Sequence, residues 1–360
     1  MLQVKAVASN VRALDRARLA ACSVDSDWPA AEGVVLLLQT LADAGSIRSL
    51  ENRQGREVAL YRGDRFVGVL AHRRSSTSEY GEVPPGFGPG APRELDLLSH
   101  GGVVGRGLSI PPARAAGGFT RLRVLGALVH QGRALRLRDL CARPPAPGPG
   151  PGPDAPQRSR QPAVPTLLVC GSAAEVGKTT TCAALIRALK RRGLVVGAAK
   201  LTGTGRLRDI LAMRDAGADH ALDFPDLGLA TTYTAAAPVL EAAREILGRL
   251  DASGCQVVVA ELGGDIIEAN ADALLADPRI AGRCSAIVHV AGDVVGILGA
   301  AALYRRFGLR QPIQPTLPRG RNPLGTVERL RGFGWDALDV LDAAACDAYV
   351  ERLLAVGVAE

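Results

Sequence analysis

Gly171-Ser-Ala-Ala-Glu-Val-Gly-Lys-Thr-Thr180 sets a run of small residues ahead of a lysine and two hydroxyls. The backbone N–H groups of such a loop can turn inward around phosphate oxygens, while the lysine adds a cation and a threonine hydroxyl adds a metal ligand. Leu167 to Cys170, just before it, reads as a buried parallel strand, and the stretch opening at Lys178 forms a helix. Strand, loop and helix therefore come in the order that a phosphate-binding loop requires. The expected contacts run through Gly171, Ser172, Glu175, Val176, Gly177, Lys178, Thr179 and Thr180. Lys178 would reach the β- and γ-phosphates, and Thr179 would place its hydroxyl on Mg²⁺.

Further along, Val257-Val-Val-Ala-Glu261 is apolar until it delivers a carboxylate, the form of a strand that brings an acidic residue beside a phosphate loop. Glu261 would hold Mg²⁺ directly or through water, ahead of Asp265 in the Leu-Gly-Gly-Asp run that follows. A third region ends in Lys200-Leu-Thr202-Gly203-Thr204-Gly205-Arg206. Lysine is scarce in a chain that carries its positive charge on arginine, with only residues 5, 178, 190 and 200. A lysine at a strand end in such a chain is expected to serve as a compact point donor. Thr202 to Arg206 would form a second donor-rich loop facing the same phosphates. Asp209, Asp215, Asp219, Asp223 and Asp226 crowd the segment beyond it, where a second Mg²⁺ carboxylate belongs. Spacing does not choose among them, and Asp209, nearest the strand end, is the choice made here. Thr231-Thr232-Tyr233 reads as substrate-touching or as an exposed loop. His220 has no nucleophile motif beside it and reads as structural or surface.

The elements that must position these residues alternate between apolar runs and helical patterns, the mark of a parallel sheet with crossover helices. Strands are expected at 167–171, 194–200, 256–261, 285–291 and 311–316. Helices are expected at 178–192, 207–217, 236–251, 270–276, 294–307 and 325–332, and at the C-terminus. In such sheets ligands bind at the carboxyl ends of the strands. The fold class is α/β: a P-loop NTPase domain with helices on both faces of the sheet, spanning 166–360, preceded by a smaller mainly β (α+β) domain over 1–141. Between them, 142–165 is rich in proline and glycine, lacks apolar bulk and reads as a linker joining separable halves. In the N-terminal half, 33–43 reads as a helix, and 57–70 as two short strands around an Arg-Gly-Asp turn. Further strands are expected at 102–108, 121–129 and 134–138. The stretch from Arg73 to Tyr80 reads as a solvated loop, with an anion site as the alternative.

Length and composition set the outer bounds. The chain has 360 residues, 47% of them hydrophobic and 22% charged, which suits a globular protein of two domains. No run approaches about 18 uninterrupted apolar residues, and the N-terminus has no export signal, so the expected location is cytoplasmic, with no membrane partner. The net charge of +7 is dispersed and aromatics make up only 4%, which leaves few stacking platforms and argues against a nucleic-acid partner. Seven scattered cysteines without a Cys-x-x-Cys pair argue against disulfides or zinc and read mostly as small core residues.

The usual phosphate-loop pattern has glycine at the position of Ser172, whereas here the glycine is Gly171. The variant loop resembles that of dethiobiotin synthetase and its relatives, the cobyrinic and cobyric acid synthases. The resemblance covers roughly residues 166–330. It implies that Lys200 contacts the γ-phosphate and the activated carboxylate, that Glu175 is the loop glutamate, and that Glu261 is a metal ligand. By the same resemblance Gly263 and Gly264 admit substrate, and Asn322 and Pro323 cradle the base. Ser172 and Ala173 depart from that family's Thr-Asp, so its substrate contacts there are not carried over. No Asn/Thr-Lys-x-Asp guanine signature is present, which favours ATP over GTP.

The expected activity is an ATP- and Mg²⁺-dependent ligase. It would phosphorylate a small-molecule carboxylic acid or carbamate, and an amine or ammonia would then displace phosphate. The resemblance also makes a homodimer an expected partner state. A small-molecule kinase, an acyltransferase like those of a related P-loop family that includes a D-glutamate N-acetyltransferase, and a nucleotide-dependent switch or metallochaperone GTPase are the alternatives.

Overall fold

The computed structural model describes residues 2–27, 31–85, 93–141, 163–317 and 323–355. In the N-terminal half the elements are β1 (Ala6–Val7), α1 (Arg16–Ala20), β2 (Ser23–Asp25), β3 (Val35–Thr40), β4 (Ser49–Glu51), β5 (Glu57–Ala59), β6 (Arg65–Leu70), β7 (Arg73–Arg74), β8 (Tyr80–Glu82), β9 (Glu94–Leu97), β10 (Val103–Ser109), β11 (Thr120–His130), β12 (Arg133–Ala134) and α2 (Leu137–Leu140). The strand order β6-β3-β11-β9-β10 closes on itself because β10 also pairs with β6. The ring explains the alternation along its strands. Leu36, Leu38, Phe66, Leu70, Leu95, Leu97 and Leu122 pack in one cluster, while Val35, Leu37, Val67, Val69 and Leu128 pack in another on the opposite face.

Three expectations for this half are corrected. The segment 33–43 contains a strand, β3, not a helix. Val34 to Leu38 are buried on both faces between β6 and β11, and such an apolar run carries no periodicity that separates strand from helix. The two strands within 57–70 do form, but they do not pair with each other. β5 pairs with β4, and β6 joins the ring, because the turn at Tyr61–Asp64 only redirects the chain. At 134–138 a two-residue strand gives way to α2, whose start is closed by Asp139 accepting from the Arg136 N–H at 2.9 Å.

The C-terminal half contains β13 (Thr166–Gly171), α3 (Lys178–Arg191), β14 (Val196–Thr202), α4 (Leu207–Asp215), β15 (His220–Asp223), α5 (Ala236–Ala252), β16 (Val257–Leu262), α6 (Ala271–Leu275), α7 (Pro278–Ala281), β17 (Cys284–Val290), α8 (Val294–Arg306), β18 (Ile313–Thr316), α9 (Pro323–Gly332) and α10 (Ala343–Ala355). Its six strands are all parallel, in the order β15-β14-β16-β13-β17-β18. Residues of α3, α4 and α10 cover one face, with Leu185, Ile210 and Tyr349 in its core. Residues of α5, α6 and α8 cover the other, with Ile246, Leu274 and Tyr304. β13, the first strand of this half, is central, and the loop leaving it opens at the carboxyl edge where such sheets bind ligands. β15 is an edge strand of four residues that is not among the strands expected from the sequence.

Residues 142–162 of the expected linker lie outside the described residues. Its last part is packed: Val164 N–H donates to Asp251 at 3.2 Å, and Arg283 donates to the Val164 carbonyl at 3.1 Å.

Candidate functional site

β13 ends at Gly171 because a side chain there has no room. A Cβ would stand 2.8 Å from Val176 Cγ2 and 3.1 Å from Lys178 Cδ. The glycine thus lets the loop fold back over the lysine stem, and it is needed at 171, not at 172. Glu175 is exposed and takes a left-handed φ of 61° to turn the loop, and Gly177 opens α3 at φ 107°. No side chain caps that helix, so its N-terminal N–H groups and positive dipole end remain available to an anion. Ser172 donates its N–H to the Val290 carbonyl at 3.0 Å, and Thr180 is exposed on α3.

Lys178 is buried at the mouth of this loop. Its Nζ donates to the carbonyls of Ala173 and Gly264, both at 2.7 Å. Burial pushes its pKa below the usual lysine value, against the pull of Glu261. Thr179 donates its hydroxyl to Glu261 Oε2 at 2.9 Å. A hydroxyl and a carboxylate this close suit Mg²⁺, which takes one or two protein oxygens and fills the rest of its shell with water and phosphate. Glu261 is buried, which raises its pKa, while Lys200 works in the opposite direction.

The carboxyl ends of three strands carry a row of charges. Asp223, Lys200 and Glu261 stand side by side in the register of β15, β14 and β16. Lys200 is ion-paired with Asp209 and donates to the Thr204 carbonyl at 3.2 Å. Burial opposes its charge, but Asp209 and Glu261 outweigh burial and hold its pKa above the ordinary value. Burial likewise disfavours the Asp209 carboxylate, yet the Lys200 ammonium keeps its pKa below the usual range.

These placements alter several expectations. Lys178, Thr179, Glu261 and Lys200 come together at one edge of the sheet. Asp209 lies there too, with its carboxylate ion-paired to Lys200. Among the described residues no group of three His, Cys, Asp or Glu side chains is arranged to hold a metal ion.

The loop after β14 also differs from a free phosphate cradle. Thr202 donates its hydroxyl to the Gly263 carbonyl at 3.0 Å, and Gly203 N–H donates to Thr232 Oγ1 at 2.8 Å. Thr204 bridges to Thr231, and Gly205 lies so close to Asn10 that no side chain fits. Arg206 turns away to Glu57 at 2.6 Å. Gly263 and Gly264 remain beside the two lysines, with a Gly263 Cβ position 3.3 Å from Lys200 Cε. Asn322 lies outside the described residues, and Pro323 opens α9.

Thr231 to Tyr233 are buried at the seam between the halves, where Thr231 donates to the His72 carbonyl at 2.7 Å and Tyr233 to Glu268 at 3.0 Å. The stretch from Arg73 folds inward as well. Arg73 is ion-paired with the buried Glu79 at 3.0 Å. His220 is exposed.

Sequence reasoning missed the contribution of the N-terminal half. Arg12 reaches Asp223 and lies 2.6 Å from Asp226, and Glu51 accepts from the Leu207 and Arg208 N–H groups at 2.7 and 3.0 Å. Burial raises the Asp223 pKa to about 7 against the pull of Arg12. These contacts and those of Thr231 and of Ser76 N–H to Glu268, 3.0 Å, join the halves that the sequence reading held separable. It also missed His289, buried beside β13 and bonded through Nδ1 to the Tyr304 hydroxyl at 2.7 Å. Neither carried a local motif. All seven cysteines are free, five of them buried. Among the described residues no helix is long and apolar enough to cross a membrane.

No protein-family model and no curated protein matches the chain. Among solved structures it is similar to chloroplast FtsY from Physcomitrella patens, with 16% identity over 51% of this chain and 64% of that one, TM-score 0.37. It is also similar to a DUF1611 family protein from Anabaena variabilis, with 14% identity over 56% and 60%, TM-score 0.39. A third is the signal recognition particle receptor FtsY from Elizabethkingia anophelis in complex with GDP, with 14% identity over 46% and 52%, TM-score 0.33. The matches span less than two thirds of each of these chains. The class rests on this chain's own geometry: a parallel sheet whose central strand runs through a phosphate-type loop into an uncapped helix is a P-loop NTPase-like fold.

Proposed function

We propose that the chain is an ATP- and Mg²⁺-dependent ligase that activates the carboxylate or carbamate of a small molecule for attack by an amine or ammonia. The observation that supports this best is the pair of buried lysines, Lys178 and Lys200, beside the Thr179–Glu261 pair. Attack of a carboxylate on a terminal phosphoryl group brings two anions together, and a second fixed cation lowers the cost of that encounter. Hydrolysis by water does not need it.

In this reading the loop N–H groups and Lys178 hold the triphosphate, and Thr179 and Glu261 would hold Mg²⁺, which supplies charge neutralisation on the β- and γ-oxygens. Lys200 orients the acid beneath the γ-phosphoryl group. A carboxylate oxygen bonds to the terminal phosphorus as ADP leaves; the amine then bonds to the acyl carbon, phosphate leaves, and the amine gives up a proton. Gly263 and Gly264 border the space for the acid.

A second reading, a nucleotide-dependent switch that uses ATP or GTP, is favoured by one observation: the loop and helix after Lys200 are gripped by the N-terminal half. A screen of small acids with ammonia and simple amines for stimulated ADP release separates the two. The ligase reading expects an acid that raises the rate at least tenfold, with none in Lys178→Ala. Slow turnover insensitive to every acid would favour the switch. The homodimer is part of the ligase proposal, and sedimentation velocity tests it.

A further inference from the structure

We infer that Glu51, in the N-terminal half, is a positioning residue for Lys200. It closes the start of α4 and so frees Asp209 to set the lysine. This rests on the phosphate-binding reading of the site.

α4 begins badly by its own sequence. Its N-cap is Arg206, which supplies no side-chain cap, and the first N–H groups lie at a buried seam. Unsatisfied buried donors of this kind are costly, and a helix start normally finds a Ser, Thr, Asp or Asn of its own. Here the acceptor comes from 156 residues away. Glu51 is fully buried, with Oε2 2.7 Å from Leu207 N and Oε1 3.0 Å from Arg208 N. Both bonds are charge-assisted and lie at the positive end of the helix dipole.

The consequence falls on Asp209. It occupies the third position of α4, from which an acidic side chain ordinarily reaches back to the N-cap N–H of its own helix. Glu51 already places a carboxylate at the positive end of the helix dipole, on the N–H groups of Leu207 and Arg208, and Asp209 points instead at Lys200. Without Glu51, the uncovered N–H groups and the dipole would draw the Asp209 carboxylate back, and Lys200 would lose the partner that sets its direction. The rest of the β4–β5 hairpin reinforces this hold: Glu57 pairs with Arg206 at 2.6 Å, and Leu211 of α4 packs against Gly55. The N-terminal half thereby becomes part of the phosphate site without touching the phosphate.

Calorimetry on the full chain tests this, with Mg²⁺ and either the diphosphate or a slowly hydrolysed triphosphate analogue, in the adenine and guanine series. In the wild type, Lys200 should make the triphosphate analogue bind more tightly than the diphosphate. Glu51→Gln should reduce that preference about tenfold while the diphosphate Kd stays within twofold. Lys200→Met should reduce it equally, and the double variant should lose no more than either single change, because both remove one interaction. Glu94→Gln, whose carboxylate pairs with Arg121 on the exposed side of β9 and touches neither α4 nor its loop, should leave the preference intact.

If Glu51→Gln does not fold, Glu51→Asp, which keeps the charge but shortens the reach, is read in the same way. A lowered Tm with an unchanged preference, or losses that multiply in the double variant, would overturn the positioning role alone. Absence of nucleotide binding by the wild type would overturn it together with the proposed function.

Discussion

Two loops leave the carboxyl edge of the parallel sheet, each with a buried lysine, and they are held in different ways. The loop from Gly171 to Thr179 is closed from within the C-terminal half, by its own neighbours and by Glu261, Gly264 and Val290 of adjacent strand ends. Lys178 bonds to Ala173 five residues back, and Thr181 returns its hydroxyl to the Gly177 carbonyl at 3.0 Å. The loop from Thr202 to Asp209 is held from outside, by Glu51 and Glu57 of the N-terminal half, and by Thr232. The first is fixed by bonds inside its own half and the second by docking of the other. Binding of phosphate can therefore survive damage to the seam, whereas chemistry that depends on Lys200 cannot.

The largest effect that would break this comparison is at the self-contained loop. Lys178→Ala should weaken nucleotide binding at least a hundredfold without lowering Tm, since the lysine is buried against its own charge. Equal affinity in the folded variant, measured by calorimetry, would remove the loop from function.

At the docked loop, Lys200→Met should leave affinity for the diphosphate nearly intact but slow single-turnover ADP formation about a hundredfold, or about 3 kcal/mol. It should also destabilise the fold by about 3–5 kcal/mol, because Asp209 is left buried without its partner. Adding Asp209→Asn should restore most of the stability and none of the rate. Recovery of both would make the pair structural only. Lys200→Arg should not rescue the rate, since a planar fork cannot replace a point donor.

A smaller effect separates the sheet core from the loops. His289 is buried, which pushes its pKa down to about 4, with Lys178 acting in the same direction. In the unfolded chain it titrates near its ordinary 6.5, so its contribution is complete above that pH and is lost as pH falls toward 4, by up to about 3 kcal/mol. Thermal melts at pH 7 and 4.5 should show a larger loss in the wild type than in His289→Gln. Identical losses would place the acid sensitivity elsewhere.

The smallest effect concerns the seam. Protease should cut the proline-rich stretch first, and the nicked halves should co-elute on gel filtration, held by contacts such as Arg12 with Asp223 and Glu51 with α4. Clean separation at low salt would show the seam to be weaker than its contacts imply.

Most of the C-terminal half was legible because its information is local. Glycine, lysine and threonine follow one strand within ten residues, and the buried strands end on Glu261 and Lys200, so the four residues that meet at one edge of the sheet could be named from spacing. The partner of Lys200 could not be. The sequence offers Asp209 only as a metal ligand; its ion pair with Lys200, and the bond from Glu51, 156 residues upstream, to Leu207 N–H, appear only in the fold. In the N-terminal half, Val34 to Leu38 gave the wrong element because burial on both faces erases the pattern that separates strand from helix. The ring closure between β6 and β10 had no local signal at all.

In the proposed function the site transfers a phosphoryl group to a carboxylate. Labelling the stimulating acid with ¹⁸O in its carboxyl group and analysing the phosphate released in single turnover tests it most directly. One ¹⁸O atom per phosphate is expected, carried over from the acid when the amine displaces phosphate from the acyl phosphate. Phosphate that takes its new oxygen only from water, with the label retained in the acid, would contradict it.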